Sequence, residues 1–238
     1  MPPLFAIFAA LLYDPQMLLP IVGGTSSAPA PPLAFFNSST KECGSGSAAC
    51  TLTYSPTAGH LLVVSIRGYG TSTATVTDNA SGGSSTYATN NTDTSMYAAS
   101  SCNTKAGATS ITVTFNTAPP FGGGFSVLEF SGQKTSSCYD TSTAMAGPTV
   151  SQSMSSNSLS PAGSGEVSVM TFKTDSGIRT ISGTNGYACY YVENTTGGEA
   201  LGSCYLIKTD ATAQVATGDW NSASTQWTNF QSAWKPGP

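Results

Sequence analysis

Short runs of apolar and β-branched residues alternate along the chain with segments rich in Gly, Ser, Asn and Pro. No stretch has the 3.6-residue period of an amphipathic helix. Residues 111–115 alternate apolar and polar side chains, as a strand with one solvated face does. Residues 61–66 are almost continuously apolar, which predicts a strand deep in a core. The pattern therefore predicts an all-β protein.

The pattern of the first half of the chain recurs in the second half. Three landmarks are repeated 103 to 105 residues apart, which indicates internal duplication. The matched pairs are Pro56 with Pro161, Lys105 with Lys208, and Phe130 with Trp234. We expect one jelly-roll-like β-sandwich domain over residues 37–238, built from pseudo-repeats at about 50–132 and 156–236. Two separate small sandwiches are the alternative.

The N-terminal residues 1–20 have a different pattern. Residues 4–13 form an uncharged apolar run that an Asp-Pro pair ends, too short for the roughly 20 residues of a membrane span. No basic residue precedes Lys41, so the charged start of a secretory signal is missing. Ten extended residues measure about 33 Å, the length of a long strand. We expect this segment to be donated to a neighbouring subunit, with residues 21–36 as a Gly/Ser/Pro linker. The donated side chains are Leu4, Phe5, Ile7, Phe8, Leu11 and Leu12.

Charged residues make up only 8% of the 238 residues, so hydroxyl groups rather than charges solvate the surface. The net charge of −4 and the scattered basic residues do not match the basic patch that nucleic-acid binding requires. We expect no nucleic-acid partner and no membrane span in the mature protein.

The chain has six cysteines, no CxxC pair and one histidine, which disfavours zinc and predicts three disulfides. A hairpin centred on residues 196–197 would pair Cys189 with Cys204, and the short loop between Cys43 and Cys50 closes easily. Cys102 and Cys138 then pair by exclusion. Four N-x-S/T sequons agree with an extracellular or surface location and predict covalent glycans. They start at Asn37, Asn79, Asn90 and Asn194.

Several of these runs together resemble the repeated β-sandwich domains of secreted bacterial surface and phage-associated proteins. The resemblance covers about residues 50–236 and rests on residues 59–64, Asp78-Asn79 with Tyr87, residues 111–115, residues 127–132, and Trp234-Lys235-Pro236. His60 and Trp234 depart from the usual pattern, in which an amide and a phenylalanine are common at these places. The resemblance implies a sandwich fold and an extracellular setting, and it supplies no catalytic residues.

Enzymatic chemistry has little basis in the sequence. His60, the single histidine, precedes a predicted core strand and is interpreted as a strand-end residue. Glycoside hydrolysis would need two carboxylates facing one groove, for which Glu129, Glu166 and Glu193 are the candidates. We expect no enzyme activity, no cofactor and no metal site.

These features together predict a structural subunit of an extracellular filament or surface fibre, a homo-polymer assembled head to tail through the apolar N-terminal segment. The alternative is a secreted glycan-binding or adhesin module whose N-terminus is a signal or anchor segment. In that alternative Trp227 is the candidate sugar contact, although packing in the core is the simpler role for this residue.

Overall fold

The computed structural model describes residues 32–68, 73–92, 95–175, 181–194, 199–220 and 225–238. Within these ranges the chain forms seventeen β-strands and no helix, so the expected all-β class is confirmed. The strands of the first half are β1 (Ala34–Cys43), β2 (Ala49–Thr53), β3 (Leu61–Gly68), β4 (Ala74–Asp78), β5 (Ala88–Thr92), β6 (Met96–Ser101), β7 (Ser110–Phe115) and β8 (Gly123–Ser131). Those of the second half are β9 (Tyr139–Ser142), β10 (Ala146–Ser151), β11 (Ser153–Ser155), β12 (Val167–Thr174), β13 (Ile181–Thr184), β14 (Ala188–Asn194), β15 (Glu199–Ile207), β16 (Thr217–Trp220) and β17 (Thr225–Trp234). Because β1 begins at Ala34, the last three residues of the expected linker belong to a strand.

Each half contributes one larger and one smaller antiparallel sheet. The first central sheet has the order β1-β8-β3-β6-β5, and the first outer sheet has the order β2-β7-β4. The second central sheet has the order β10-β17-β12-β15-β14, with β9 also paired to β17, and the second outer sheet has the order β11-β16-β13. Each strand from β1 to β8 thus occupies the same place in its half as the strand numbered nine higher, so that β1 corresponds to β10 and β8 to β17. Strand β8 pairs with β1 along its edge, whereas β17 pairs with both β9 and β10.

The strand pairings of the two halves are separate from each other. In each half the first, eighth, third and sixth strands lie side by side, as in a jelly roll, but the fifth strand pairs with the sixth instead of the fourth. Every strand pairing in the described chain stays within one half. The strands therefore close two sandwiches, one in each half.

The two central sheets lie face to face, which produces four layers with three hydrophobic interfaces. On β3, Leu62, Val64 and Ile66 point into the core between the first central and first outer sheets. Leu61 and Val63 point the other way, into the core shared with the second central sheet. All of β3 is buried for this reason, which explains its continuous apolar pattern.

The shared core contains two aromatic groups that flank its centre. Phe35 stacks on Tyr205 and Tyr190, with ring centroids 4.7 and 5.5 Å apart, and Phe130 meets Tyr205 edge to face. At the corresponding position of the second half, Trp234 is fully buried and donates its Nε1–H to Ser100 Oγ over 3.0 Å. Both groups contain side chains from both halves, so they join the two sandwiches into one body.

Buried hydroxyls occupy the middle of the same interface. Ser65 Oγ lies 2.6 Å from Thr171 Oγ1, and these two residues occupy equivalent positions on β3 and β12. Ser203 Oγ donates to Ser65 Oγ over 2.8 Å and lies 2.6 Å from Ser126 Oγ. These four residues, the hydroxyl cluster, are at most 1% exposed. Each hydroxyl has a partner, so burial leaves no unsatisfied hydrogen-bonding group in this cluster.

The strands of both halves run between the same two ends of the molecule. At the proximal end Leu61 pairs with Phe130 and Val167 with Trp234, and all four side chains meet in the shared core. At the distal end Lys173 Nζ donates to Ser95 Oγ. The chain enters β1 and finishes after β17 at the proximal end, because Ala34 pairs with Ser131 there.

Replacing Ser203 by alanine tests the hydroxyl cluster. The change leaves Ser65 and Ser126 with one partner fewer in a buried setting, so we expect the free energy of unfolding to fall by about 1–3 kcal/mol. Urea denaturation measures the effect, with the exposed Thr77→Ala as a control expected to stay within about 0.5 kcal/mol of the parent protein. Equal effects of the two changes would contradict a stabilising role for the cluster.

Candidate functional site

The three disulfides pair the cysteines as the sequence predicts. Cys43–Cys50 closes the loop between β1 and β2 at the distal end. Cys189–Cys204 joins directly opposed residues of β14 and β15. Cys102–Cys138 connects the end of β6 with the segment before β9, so it ties the first half to the second at the proximal end. Three disulfides indicate an oxidising environment of the extracellular type.

The first polar cluster at the proximal end surrounds Glu129, which is fully buried on β8. Its Oε1 accepts the backbone N–H of Thr57 over 2.9 Å and lies 2.7 Å from His60 Nδ1. Its Oε2 accepts the hydroxyl of Tyr54 over 2.6 Å. Phe36 meets the His60 ring edge to face at 4.8 Å. His60 therefore stands at the start of β3, as expected, and fixes the turn before that strand.

The Glu129 carboxylate also affects its phenolic partner. Burial, the hydrogen bond to Glu129 and the negative charge of that carboxylate together raise the pKa of Tyr54 far above its ordinary value. Tyr54 therefore stays a neutral donor. Both oxygens of Glu129 are occupied by hydrogen bonds, which is the pattern of a structural carboxylate.

The second polar cluster lies at the equivalent place in the second half. Glu166 directly precedes β12, and His60 holds the same position before β3. Asp140 follows Tyr139 on β9, which is the position that Phe36 has after Phe35 on β1. Asp140 Oδ1 lies 2.9 Å from Lys235 Nζ, and Asp140 Oδ2 accepts the Ala162 N–H over 2.9 Å. The Lys208 N–H donates to the Glu166 carbonyl over 2.8 Å. We call Asp140, Glu166, Lys208 and Lys235 the clamp cluster.

The two carboxyls of the clamp cluster have opposite pKa shifts. Burial, followed by the charge of Asp140, raises the pKa of Glu166. Burial also acts to raise the pKa of Asp140, but the hydrogen bonds from Lys235 and Ala162 and the Lys235 charge outweigh it and lower the pKa. Burial lowers the pKa of Lys208. The sequence indicated Glu166 only as a candidate carboxylate for glycoside hydrolysis and Lys235 only within a closing motif. It did not predict that Asp140 joins them, and the position of Asp140 beside the repeated landmarks was the only available signal.

Two of the three candidate carboxylates for glycoside hydrolysis, Glu129 and Glu166, lie apart from each other in the described chain. Glu129 and Glu166 are at most 1% exposed and belong to separate clusters in different halves. The side chain of Glu193 lies outside the described residues. The two-carboxylate arrangement is therefore not formed by Glu129 and Glu166.

A groove of ≈ 660 Å³ opens near the proximal end, between the β4–β5 loop and the segment after β6. Its lining includes hydroxyl and amide side chains and one lysine, whose Nζ donates to the Gly83 carbonyl over 3.1 Å. The residues with polar side chains include Ser81, Thr86, Ser100, Ser101, Asn103 and Lys105. Such a lining suits an uncharged polar ligand.

The Asp78 carboxylate shapes one wall of this groove. It accepts the N–H groups of Ala80 and Ser85, each over 3.1 Å, and the hydroxyl of Tyr87 over 3.0 Å. Burial acts to raise the pKa of Asp78, but these hydrogen bonds together outweigh it and lower the pKa. The Asp78 charge in turn adds to burial in raising the pKa of Tyr87. The β4–β5 loop is therefore organised around a single carboxylate.

The predicted sequons differ in how their amides are used. Asn37 is exposed on β1, and Asn90 is half-buried. Asn79 is exposed, but its Nδ2–H donates to Thr109 Oγ1 over 2.8 Å and its Oδ1 accepts the Thr109 N–H over 2.7 Å. The side chain of Asn194 lies outside the described residues. Among the three sequon asparagines whose side chains are described, Asn37 is best placed for a glycan.

The remaining predicted contacts are Trp227 and the N-terminal segment. Trp227 is 6% exposed, packs in the core between the second central and second outer sheets, and donates its Nε1–H to Ser151 Oγ over 2.9 Å. Its ring faces are covered, so sugar stacking on this residue is not supported by its position. The expected donor residues Leu4, Phe5, Ile7, Phe8, Leu11 and Leu12 lie outside the described residues.

Exposed large apolar side chains lie at both ends of the molecule. Phe36, next to His60, and Val215, just before β16, are at the proximal end. Phe121, in the loop before β8, and Val150, opposite Gln226 near the start of β17, are at the distal end. Their exposed fractions range from 37% to 65%. Each end of the described chain thus carries two exposed large apolar side chains.

Comparisons of the chain with family models, with curated proteins and with solved structures find no match. In the described ranges, no set of three or more His, Cys, Asp or Glu side chains is arranged to hold a metal ion. The same part of the chain has no helix of the length and hydrophobicity that crossing a membrane requires.

Replacing Asp78 by asparagine tests the carboxylate of the β4–β5 loop. The pKa of Asp78 is lower in the folded than in the unfolded protein, so the ionised carboxylate stabilises the fold. This stabilisation is complete at pH values above the pKa of Asp78 in the unfolded chain, about 3.9, and it is lost as the pH falls through the pKa in the folded protein. We expect D78N to lower the free energy of unfolding by about 1.5–3 kcal/mol at pH 7. The deficit should shrink as the pH falls below about 4.

Denaturant unfolding at several pH values measures this dependence. Asp219→Asn removes an exposed carboxylate of β16 and serves as the matched control, with a small effect at every pH. A deficit of D78N that stays constant from pH 7 to the acid limit would contradict the role of the charge.

Proposed function

We propose that the protein is a structural subunit of an extracellular filament or surface fibre that polymerises head to tail. In this proposal the apolar residues 4–12 leave the proximal end of one subunit and add to the next subunit at its distal end. Contacts of this type do not close into a dimer, so they propagate.

The observation that carries the proposal is the placement of exposed apolar side chains at opposite ends of the body. The segment before β1 starts from the proximal end, and Phe36 and Val215 are exposed there. Phe121 and Val150 offer complementary apolar surface at the distal end. Association of two such unlike ends buries apolar surface from both partners, which favours a heterologous contact.

The edge of the first outer sheet is the acceptor that we favour. Within the described chain β2 pairs only with β7, so its other edge has no strand beside it. Strand β2 begins at the distal end, after the loop that contains Gly46. The Gly46 N–H donates to the Pro119 carbonyl over 2.9 Å, so this loop lies close to the segment that carries the exposed Phe121. The opposite edge is partly covered, because the Asp78 N–H donates to Ser84 Oγ over 2.9 Å. A strand donated to β2 would complete its ladder and contact Phe121.

The energy available to such a joint is substantial. Burial of the six large apolar side chains of the N-terminal segment contributes on the order of 10–15 kcal/mol before the costs of association. The disulfides and the low charge content suit a body that lasts outside the cell. Glycans on Asn37 would extend from the β1 edge.

Deletion of residues 1–20 tests the role of the N-terminal segment. We expect the truncated protein to stay folded and monomeric while the full chain forms filaments, as seen by sedimentation velocity and negative-stain electron microscopy. Filaments that still form from the truncated protein would sink the donor-strand proposal.

A point substitution tests the acceptor separately. Phe121→Ser at the distal end should weaken assembly of the full chain at least tenfold in critical concentration, because an exposed aromatic contact is lost from the joint. Thr75→Ser, on the opposite edge of the same sheet, is the matched control and should assemble normally. Equal assembly of both variants would exclude the Phe121 side of the acceptor.

The groove supports a second candidate, a glycan-binding module. Its hydroxyl and amide lining, with Asn103 and Lys105, matches the hydrogen-bonding groups of a sugar. Under this alternative the full chain is a monomer, and a glycan shifts the backbone amide NMR signals of residues 100–106. The double variant N103A/K105A should abolish those shifts.

A further inference from the structure

Asn37 differs from the other three sequon asparagines because two phenylalanines, Phe35 and Phe36, directly precede it. The residue before each of the others is polar or charged. Asn37 is exposed, and the neighbouring Phe36 is 55% exposed. An amide of the kind that glycosyltransferases modify thus lies beside an aromatic ring in solvent.

A β-bulge places these two side chains on the same side of the first central sheet. Neighbouring residues of a regular strand point to opposite faces. In β1 the register shifts between Phe35 and Asn37, so Phe36 is the extra residue of the bulge. Asn37 lies opposite Glu129, whose carboxylate is 2.7 Å from His60 Nδ1, and Phe36 meets the same His60 ring at 4.8 Å. Because opposed residues of a ladder point to the same face, Asn37 and Phe36 share the face that carries His60.

The side-chain amide of Asn37 leaves its nitrogen unoccupied. The Ser38 N–H donates to Asn37 Oδ1 over 2.8 Å, whereas Asn37 Nδ2 has no hydrogen-bond partner among the described residues. By contrast, Nδ2 of Asn79 donates to Thr109 Oγ1 over 2.8 Å, and Oδ1 of Asn90 is buried. Asn37 therefore combines exposure with an amide nitrogen that is free to carry a sugar.

We propose that an N-linked glycan on Asn37 packs the apolar face of its first sugar, an N-acetylhexosamine, against the Phe36 ring. The proposal rests on the glycan that the proposed function places on Asn37. It concerns the surface of a single subunit, so it does not depend on whether the subunits assemble into filaments.

Attachment of the sugar requires a glycosyl donor from the secretory route, a lipid diphosphate that carries the oligosaccharide. Asn37 Nδ2 attacks the anomeric carbon of the first sugar, and a new C–N bond forms. The bond from this carbon to the phosphate oxygen breaks, and its electron pair leaves with the lipid diphosphate. One proton leaves Nδ2, so the amide stays neutral and no group is oxidised or reduced.

The contact is favourable because the covalent bond makes it intramolecular. The C–H groups on one face of a pyranose ring cover apolar area of Phe36 that is otherwise in contact with water. Attachment to the adjacent residue gives the sugar a high effective concentration at the ring, so a weak interaction is sufficient. His60 contacts the Phe36 ring and is itself held by Glu129, which gives the ring a fixed support.

A sugar in this position changes the surface around it. Strand β1 is the edge of the first central sheet and pairs only with β8 in the described chain. The glycan stands beside this open edge and hinders the addition of a foreign strand there. Because it covers Phe36, it leaves Val215 as the other exposed large apolar side chain at the proximal end.

The full-length protein, secreted from yeast and trimmed with endoglycosidase H to single N-acetylglucosamine residues, tests the proposal. Peptide mass spectrometry should locate one of these sugars on Asn37. In NMR spectra of the monomeric fraction, the ring current of Phe36 should move the C–H signals of that sugar upfield relative to Phe36→Ala. An unmodified Asn37 in the folded, secreted protein would overturn the proposal, and so would sugar signals that are the same in both proteins.

A double-mutant cycle measures the contact as a shift in melting temperature. Ser39→Ala removes the sequon but keeps Asn37 and Phe36. We expect the glycosylated parent protein to melt about 2–4 °C above S39A, and F36A to reduce this difference to less than about 1 °C. Phe121→Ala, which removes a ring that is 56% exposed at the distal end, is the matched control and should keep the full difference. An equal difference in the parent and F36A backgrounds would show that the sugar does not pack on Phe36.

Discussion

The face-to-face contact of the two central sheets is the constraint on which the rest of the structure depends. The first central sheet is covered on one face by the first outer sheet. Its other face would be exposed to solvent if the second half did not cover it. Strands β3, β8 and β12 are buried on both faces for this reason. Neither sandwich would be fully covered without the other, so the two halves form one body with three cores.

The contact also explains why equivalent positions in the two halves have different chemistry. Ser65 and Thr171 meet at the centre of the interface and remain similar, because each must satisfy the other's hydroxyl. Away from the centre the constraint weakens. At the proximal end, one half has His60 bonded to a buried carboxylate and the other has Asp140 paired with Lys235. Corresponding positions at the proximal end of the two halves therefore have different chemistry.

Local patterns predicted the strands and the disulfides, but they could not predict the number of sheets. The Cys189–Cys204 pair follows from hairpin symmetry, and the strand over residues 61–66 follows from its apolar run. A continuous apolar run indicates that a strand is buried on both faces. It does not indicate whether that strand belongs to one thick sandwich or to two stacked ones. The pairing of Asp140 with Lys235 depends on strand order over most of the second half, which residue spacing does not encode.

Parallel alignment of the two halves gives the molecule two unlike ends. Strand β1 begins and β17 ends at the proximal end, so a load applied to the segments before β1 and after β17 acts first on these strands there. The Cys102–Cys138 disulfide and the Asp140–Lys235 contact both lie there. One of the three disulfides and one ion pair thus lie where a load applied through β1 and β17 would begin to separate strands. The distal end carries the exposed side chains of Phe121 and Val150 and the Cys43–Cys50 disulfide.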